Sequence, residues 1–74
     1  MSAALPICSG AQAARAFVRA GWVHDRPKGS HLMLKKTGSS VVLSVPQHRE
    51  LVKGILRSLI SDAGLSVADF VKLL

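Results

Sequence analysis

Four consecutive residues, Lys28-Gly29-Ser30-His31, gather an ammonium group, a backbone with no side chain, a hydroxyl and an imidazole. An imidazole titrates near neutral pH, so it can take a proton from a reacting group or give one back. Lysine, arginine and backbone N–H groups stabilise negative charge as it develops on a phosphoryl oxygen. Gly29 lets the main chain approach a phosphate closely, Ser30 offers a hydrogen bond, and Arg26 adds a second cation two residues before Lys28. These are the groups that cleavage of an RNA phosphodiester calls for. The 2′-hydroxyl there is an internal nucleophile, so a protein need supply only a proton acceptor or donor and cationic charge. Taken by itself the motif is short, and a single strand histidine is more often a solvated or hydrogen-bonded surface residue.

Other residues extend the set. His48 follows Pro46 by two positions; it reads first as a loop residue, and second as a further acid or base at the mouth of the same face. Lys53 precedes Gly54 where a long helix is expected to begin, and a helix N-terminus with a lysine beside it attracts phosphate through its free N–H groups and dipole. Arg57, one turn later, extends that patch, although both are equally readable as ordinary exposed cations. Trp22 has the ring to stack on a base, yet just after the helix-ending Gly21 it reads better as core. His24 completes no site. The three histidines fall on different elements with no cysteine or carboxylate at a ligand spacing, so no metal site and no cofactor are expected.

The elements that must position these residues read as a helix, three strands and two helices, an α+β order. Ser9 is an N-cap for a helix rich in good helix formers from Ala11 to Ala20, with Ala14, Phe17 and Val18 facing the core, and Gly21 stops it. A short strand spans Trp22 to Arg26, ended by Pro27. Ser30 to Lys36 alternates, with Leu32 and Leu34 pointing one way and His31, Met33 and Lys35 the other. After a turn at residues 37–40, Val41, Leu43 and Val45 form the apolar face of a strand that Pro46 ends. If the leucines face the helices together with those valines, His31 stands on the opposite, open face of the antiparallel sheet. Leu56, Leu59, Ile60 and Ala63 form a helical stripe closed by Gly64. Ser66 with Asp69 then starts a short last helix, along which Val67, Phe70, Val71 and Leu74 recur at helical spacing as a core-facing stripe.

Composition sets the frame. The 74 residues read as one domain, 1–74, with no repeat and no linker. A chain this short buries about 60% of the surface its unfolded form exposes, and one cysteine, Cys8, forms no internal staple, so a bound partner chain is a natural expectation. Ten basic residues oppose four acidic ones, a net charge of +6. Residues 1–57 hold nine basic and two acidic residues, or +7, while the remainder carries −1. A basic body of this kind is the footprint of a phosphate-binding surface. The start of the chain lacks the basic region and long apolar run of a secretory leader, nothing approaches the length of a membrane span, and a lone cysteine fits a reducing compartment. A cytoplasmic protein without membrane contact is expected.

An ordered series runs through the chain: Gly21-Trp22, Arg26-Pro27-Lys28-Gly29-Ser30-His31, Val45-Pro46-Gln47-His48, the run from Glu50 through Lys53-Gly54 to Ile60, Ala63-Gly64-Leu65-Ser66 and Phe70. In order and spacing it resembles the HicA family of mRNA-interferase toxins. The resemblance covers nearly the whole chain from Ser9 onward. It implies a double-stranded-RNA-binding-domain-like fold, α-β-β-β-α with a short C-terminal helix and the helices on one face of the sheet. It also implies metal-independent endonuclease activity against mRNA, with His31 at the family's catalytic histidine, and neutralisation by a HicB-like antitoxin. Two positions depart from the family pattern: Leu32 stands where a second histidine is frequent, and Ile55 where threonine commonly follows Lys-Gly. The other class of function open to the same residues is a non-catalytic RNA-binding module, in which His31 is a contact only.

Overall fold

Why each element begins where it does is visible in its first residues. In a computed structural model, which describes residues 4–74, Ser9 caps helix α1, Gly10–Arg19. Its hydroxyl accepts from the Gln12 N–H, and the Gln12 side chain accepts in return from the Ser9 N–H, so two of the donors that a helix start leaves unpaired are satisfied. The same reciprocal cap, Ser66 with Asp69, starts helix α3, Val67–Leu73. Helix α2, Lys53–Asp62, starts on Val52 and has no side-chain cap. Residues 1–3, on which the leader reading partly rests, lie outside the described residues.

Between α1 and α2 run β1 (Val23–His24), β2 (His31–Lys35) and β3 (Val42–Pro46). They form an antiparallel sheet in the order β1-β2-β3, and the chain is therefore α-β-β-β-α-α with the sheet open. Across β2 and β3, Leu34 faces Leu43 and Leu32 faces Val45. Leu34, Leu43 and Val45 are fully buried beneath the helices, joined by Phe17, Leu56 and Phe70. The two phenylalanines meet with ring centroids 5.2 Å apart at a tilt of 44°, and the Arg19 guanidinium donates to the Leu73 carbonyl at 2.6 Å, so α3 is fastened back onto α1.

Several sequence expectations need correction. Val18 is exposed, because the inward stripe of α1 runs through Ala13, Ala14, Ala16 and Phe17. The first strand is two residues long; Trp22 precedes it as a buried core residue, the Asp25 N–H adds one more bond to the Met33 carbonyl at 2.8 Å, and Arg26 and Pro27 stand outside the strand. Val41 lies outside β3 and is exposed, and Val71 and Leu74 are also exposed. Phe70 alone anchors α3 as a fully buried residue.

Candidate active site

His31 opens β2 directly behind a tight turn. The Lys28 N–H donates to the His31 carbonyl at 2.9 Å and the His31 N–H to the Lys28 carbonyl at 3.1 Å, closing a two-residue loop of Gly29 and Ser30. Gly29 has φ +60°, and among the described residues no non-glycine residue has a positive φ; glycine in the first central position makes this the hairpin turn of type II′. An added Cβ at Gly29 meets nothing within 4 Å, so the glycine is required by its backbone angle and leaves open space beside the loop. The turn thereby presents Lys28 and Ser30, both exposed, next to the half-buried His31.

The end of β3 is tied to the same place. Pro46 lies opposite His31, the Gln47 N–H donates to the Ser30 carbonyl at 2.9 Å, and the next carbonyl, that of His48, accepts from the Gly10 N–H at 2.9 Å. One end of the sheet thus holds the Lys28–His31 turn, the chain leaving β3 and the first residue of α1. Helix α1 approaches the end of β3 closely at Gly10, where a Cβ would fall 1.9 Å from the Pro46 carbonyl oxygen.

Strand parity sets the direction of His31. Leu32 and Leu34 point to the helices, so His31 and Met33 share the open face with Ser44, which lies opposite Met33. His31 Nδ1 and Ser44 Oγ are 2.8 Å apart. Ser44 was not among the residues singled out from sequence. Its signal was present all the same: it is the one polar side chain in β3, and alternation sends it to the face opposite Leu43 and Val45.

The cations divide into two groups. Arg26 and Lys28 precede and begin the turn, on the connection from β1, and both are exposed. Lys53 is the first residue of α2 and Arg57 lies one turn later; both are exposed on a helix that buries Leu56, Leu59 and Ile60 and packs on β3. No hydrogen bond joins them to the His31 turn among the described residues. The ion pair found among the described residues is Lys35, at the far end of β2 from His31, with Asp25, 3.0 Å apart. The hydrogen bond from Lys35, reinforced by the Arg26 backbone N–H, holds the Asp25 carboxyl below its ordinary range. Arg26, Lys28, Lys53 and Arg57 therefore remain available to an anionic ligand. The His48 ring is exposed at the same sheet end as His31, while its backbone is held by Gly10.

His24 pairs with Leu34 in the register and takes part in no cluster. Among the described residues no three of His, Cys, Asp and Glu gather into a group suited to hold a metal ion. Cys8 is buried, and burial raises its thiol above the ordinary value, which makes it a poor nucleophile. Trp22 is 3% exposed with the Lys36 ammonium 5.9 Å from its ring centre, so its ring is committed to the core. None of the described helices is long and apolar enough to cross a membrane.

A search among curated proteins finds none that matches the chain. A family model described as HicA toxin of bacterial toxin-antitoxin matches residues 10–65, from the start of α1 to just past α2, and this stretch includes every candidate site residue above.

Proposed function

The chain belongs to the HicA toxin family of bacterial toxin–antitoxin systems, and from that premise we propose that it is a metal-independent mRNA endonuclease in which His31 is the general acid/base. As the toxin of such a system it has an antitoxin partner; we propose a HicB-like protein, and a cytoplasmic setting in which residues 1–74 act as one domain on mRNA.

The observation that carries the reading is the placement of His31. Its imidazole stands on the open face of the sheet, away from the core, with the exposed Lys28 and Ser30 of a glycine-opened turn directly before it. In the proposed reaction, the imidazole takes the proton of a 2′-hydroxyl as that oxygen attacks the adjacent phosphorus. The P–O5′ bond breaks, and the departing oxygen receives a proton from an acid, either His31 itself in its protonated form or His48. The products are a 2′,3′-cyclic phosphate and a 5′-hydroxyl. Lys28, Arg26 and the Ser30 hydroxyl face the charge that grows on the phosphoryl oxygens, and Lys53 and Arg57 hold flanking phosphates. Burial of His31 is partial, so a substrate reaches it without rearrangement of the core.

His31→Ala tests this. General acid–base catalysis is typically worth 10²–10⁴-fold, about 3–5 kcal/mol of barrier, so cleavage of RNA and growth arrest in cells are lost. The fold is retained, with a stability cost of about 1 kcal/mol from the lost hydrogen bond to Ser44, and RNA affinity persists on the remaining cations. A His31→Ala protein that still cleaves RNA overturns the role given to His31 and turns attention to His48. Absence of cleavage by the unmodified protein, with RNA still bound, favours a non-catalytic RNA-binding module.

A further inference from the structure

We infer that Ser44 is the positioning residue for His31, holding the ring by Nδ1 so that Nε2 is the nitrogen offered to the 2′-hydroxyl; this rests on the acid/base role proposed for His31. The two residues sit on adjacent strands, but they are not directly opposite. His31 pairs with Pro46, and Ser44 with Met33, which makes His31 and Ser44 diagonal neighbours on the open face, within reach of a long side chain. The 2.8 Å separation of Nδ1 and Oγ closes that diagonal. Both side chains are half-buried, so the bond is partly shielded from competing water. Ser44 stands in a strand otherwise composed of Val42, Leu43, Val45 and Pro46, where a β-branched residue would serve the sheet better. The hydroxyl, and not the bulk, is what this position adds.

A hydroxyl also suits a ring that must change charge. It has one rotatable donor and two acceptor lone pairs. When His31 is neutral and ready to act as a base, Nδ1–H donates to Ser44 Oγ and Nε2 carries the free lone pair. Once Nε2 has taken the 2′-hydroxyl proton, both ring nitrogens are donors and the Nδ1–H to Oγ bond is unchanged. The ring therefore keeps one orientation through the proton transfer. A carboxylate partner would favour the charged ring, whereas the neutral serine holds geometry in both states.

Two variants of equal shape isolate the hydroxyl: Ser44→Thr keeps the γ-oxygen, and Ser44→Val replaces it with a methyl. In the full chain, Ser44→Thr is expected to cleave RNA within about twofold of the unmodified protein. Ser44→Val is expected to lower kcat about tenfold, the equivalent of about 1.4 kcal/mol, with KM unchanged. The ¹⁵N resonances of the His31 ring should move in Ser44→Val and stay in place in Ser44→Thr, reporting loss of the hydrogen bond at Nδ1. A Ser44→Val protein with full kcat and unmoved ring resonances, alongside an inactive His31→Ala, overturns the positioning role and leaves the role of His31 standing. A loss of kcat in Ser44→Val with unmoved ring resonances also overturns it, because the effect then does not pass through the ring. A His31→Ala protein with full activity overturns the catalytic reading itself and the role of Ser44 with it.

Discussion

Gly10→Ala should cost this small protein a large part of its stability, although alanine is the better helix former. At Gly10 the first turn of α1 meets the end of β3 so closely that an added Cβ would lie 1.9 Å from the Pro46 carbonyl oxygen, 2.9 Å from its carbon and 3.0 Å from the Gln47 Cα. All three obstacles are backbone atoms, so no side chain can rotate aside. Overpacking typically costs about 1–3 kcal/mol and occasionally more; with only backbone to give way, the upper end applies. Separating helix from strand also stretches the Gly10 N–H to His48 carbonyl bond of 2.9 Å, a further loss of about 1 kcal/mol. The gain in helix propensity offsets about 1 kcal/mol at most, leaving a net loss near 3 kcal/mol. For a domain of this size the melting temperature then falls by roughly 12–24 °C. Gly54→Ala is the control: it also lies in a helix, but its Cβ meets nothing within 4 Å and its φ is not positive. It should raise stability by about 0.4–1 kcal/mol. Thermal and urea unfolding followed by circular dichroism measure both. A Gly10→Ala protein that melts at or above the parent temperature refutes the argument from close approach.

Two further outcomes concern the ligand. RNA affinity should fall steeply with salt as bound counterions are released, and Lys28→Ala and Lys53→Ala should each flatten the slope of log K against log salt by about one unit if each holds one phosphate; an affinity flat from low to physiological salt removes the phosphate-dominated surface. Cleavage should persist in EDTA and leave 5′-hydroxyl ends, since the site offers no carboxylate cluster of the kind magnesium prefers; activity that disappears in EDTA and returns with magnesium overturns the mechanism.

The parts legible in the sequence were those written in local chemistry. Ser9 with Gln12 and Ser66 with Asp69 announce helix starts, Gly21 and Gly64 announce stops, and both glycines take the positive φ that these stops require. The alternation of Leu32, Leu34, Leu43 and Val45 puts His31 on the open face by strand parity alone. Less legible was whatever depends on where elements cross. Val18 matches the periodic pattern as well as Phe17 does, yet α1 is rolled so that its alanines face the core and Val18 faces solvent. Pairing of the first strand lapses after the Asp25 N–H bond to the Met33 carbonyl, ahead of Pro27, and resumes only at the Lys28–His31 loop. The partnership of His31 with Ser44 depends on the β2–β3 register, which the hairpin around Gly38 fixes and which no single-strand pattern displays.

The two faces of the sheet divide the tasks of the molecule. Leu34, Leu43 and Val45 on the covered face join Phe17, Leu56 and Phe70 in the packing that sustains the fold, while His31 and Ser44 on the open face contribute one partly shielded hydrogen bond. Removal of a buried leucine typically costs about 2–5 kcal/mol, against about 1 kcal/mol for that bond. Changes at the proposed site thus alter chemistry while the fold persists. The faces are joined at one end, where the Ser30 carbonyl receives the Gln47 N–H and the His48 carbonyl receives the Gly10 N–H. Through those two bonds the start of α1 sets the path of the chain leaving β3, and that path sets where His48 stands relative to the turn that carries His31. A perturbation at Gly10 is therefore a packing change expected to reach the site directly, because it moves the segment that holds His48 and borders His31.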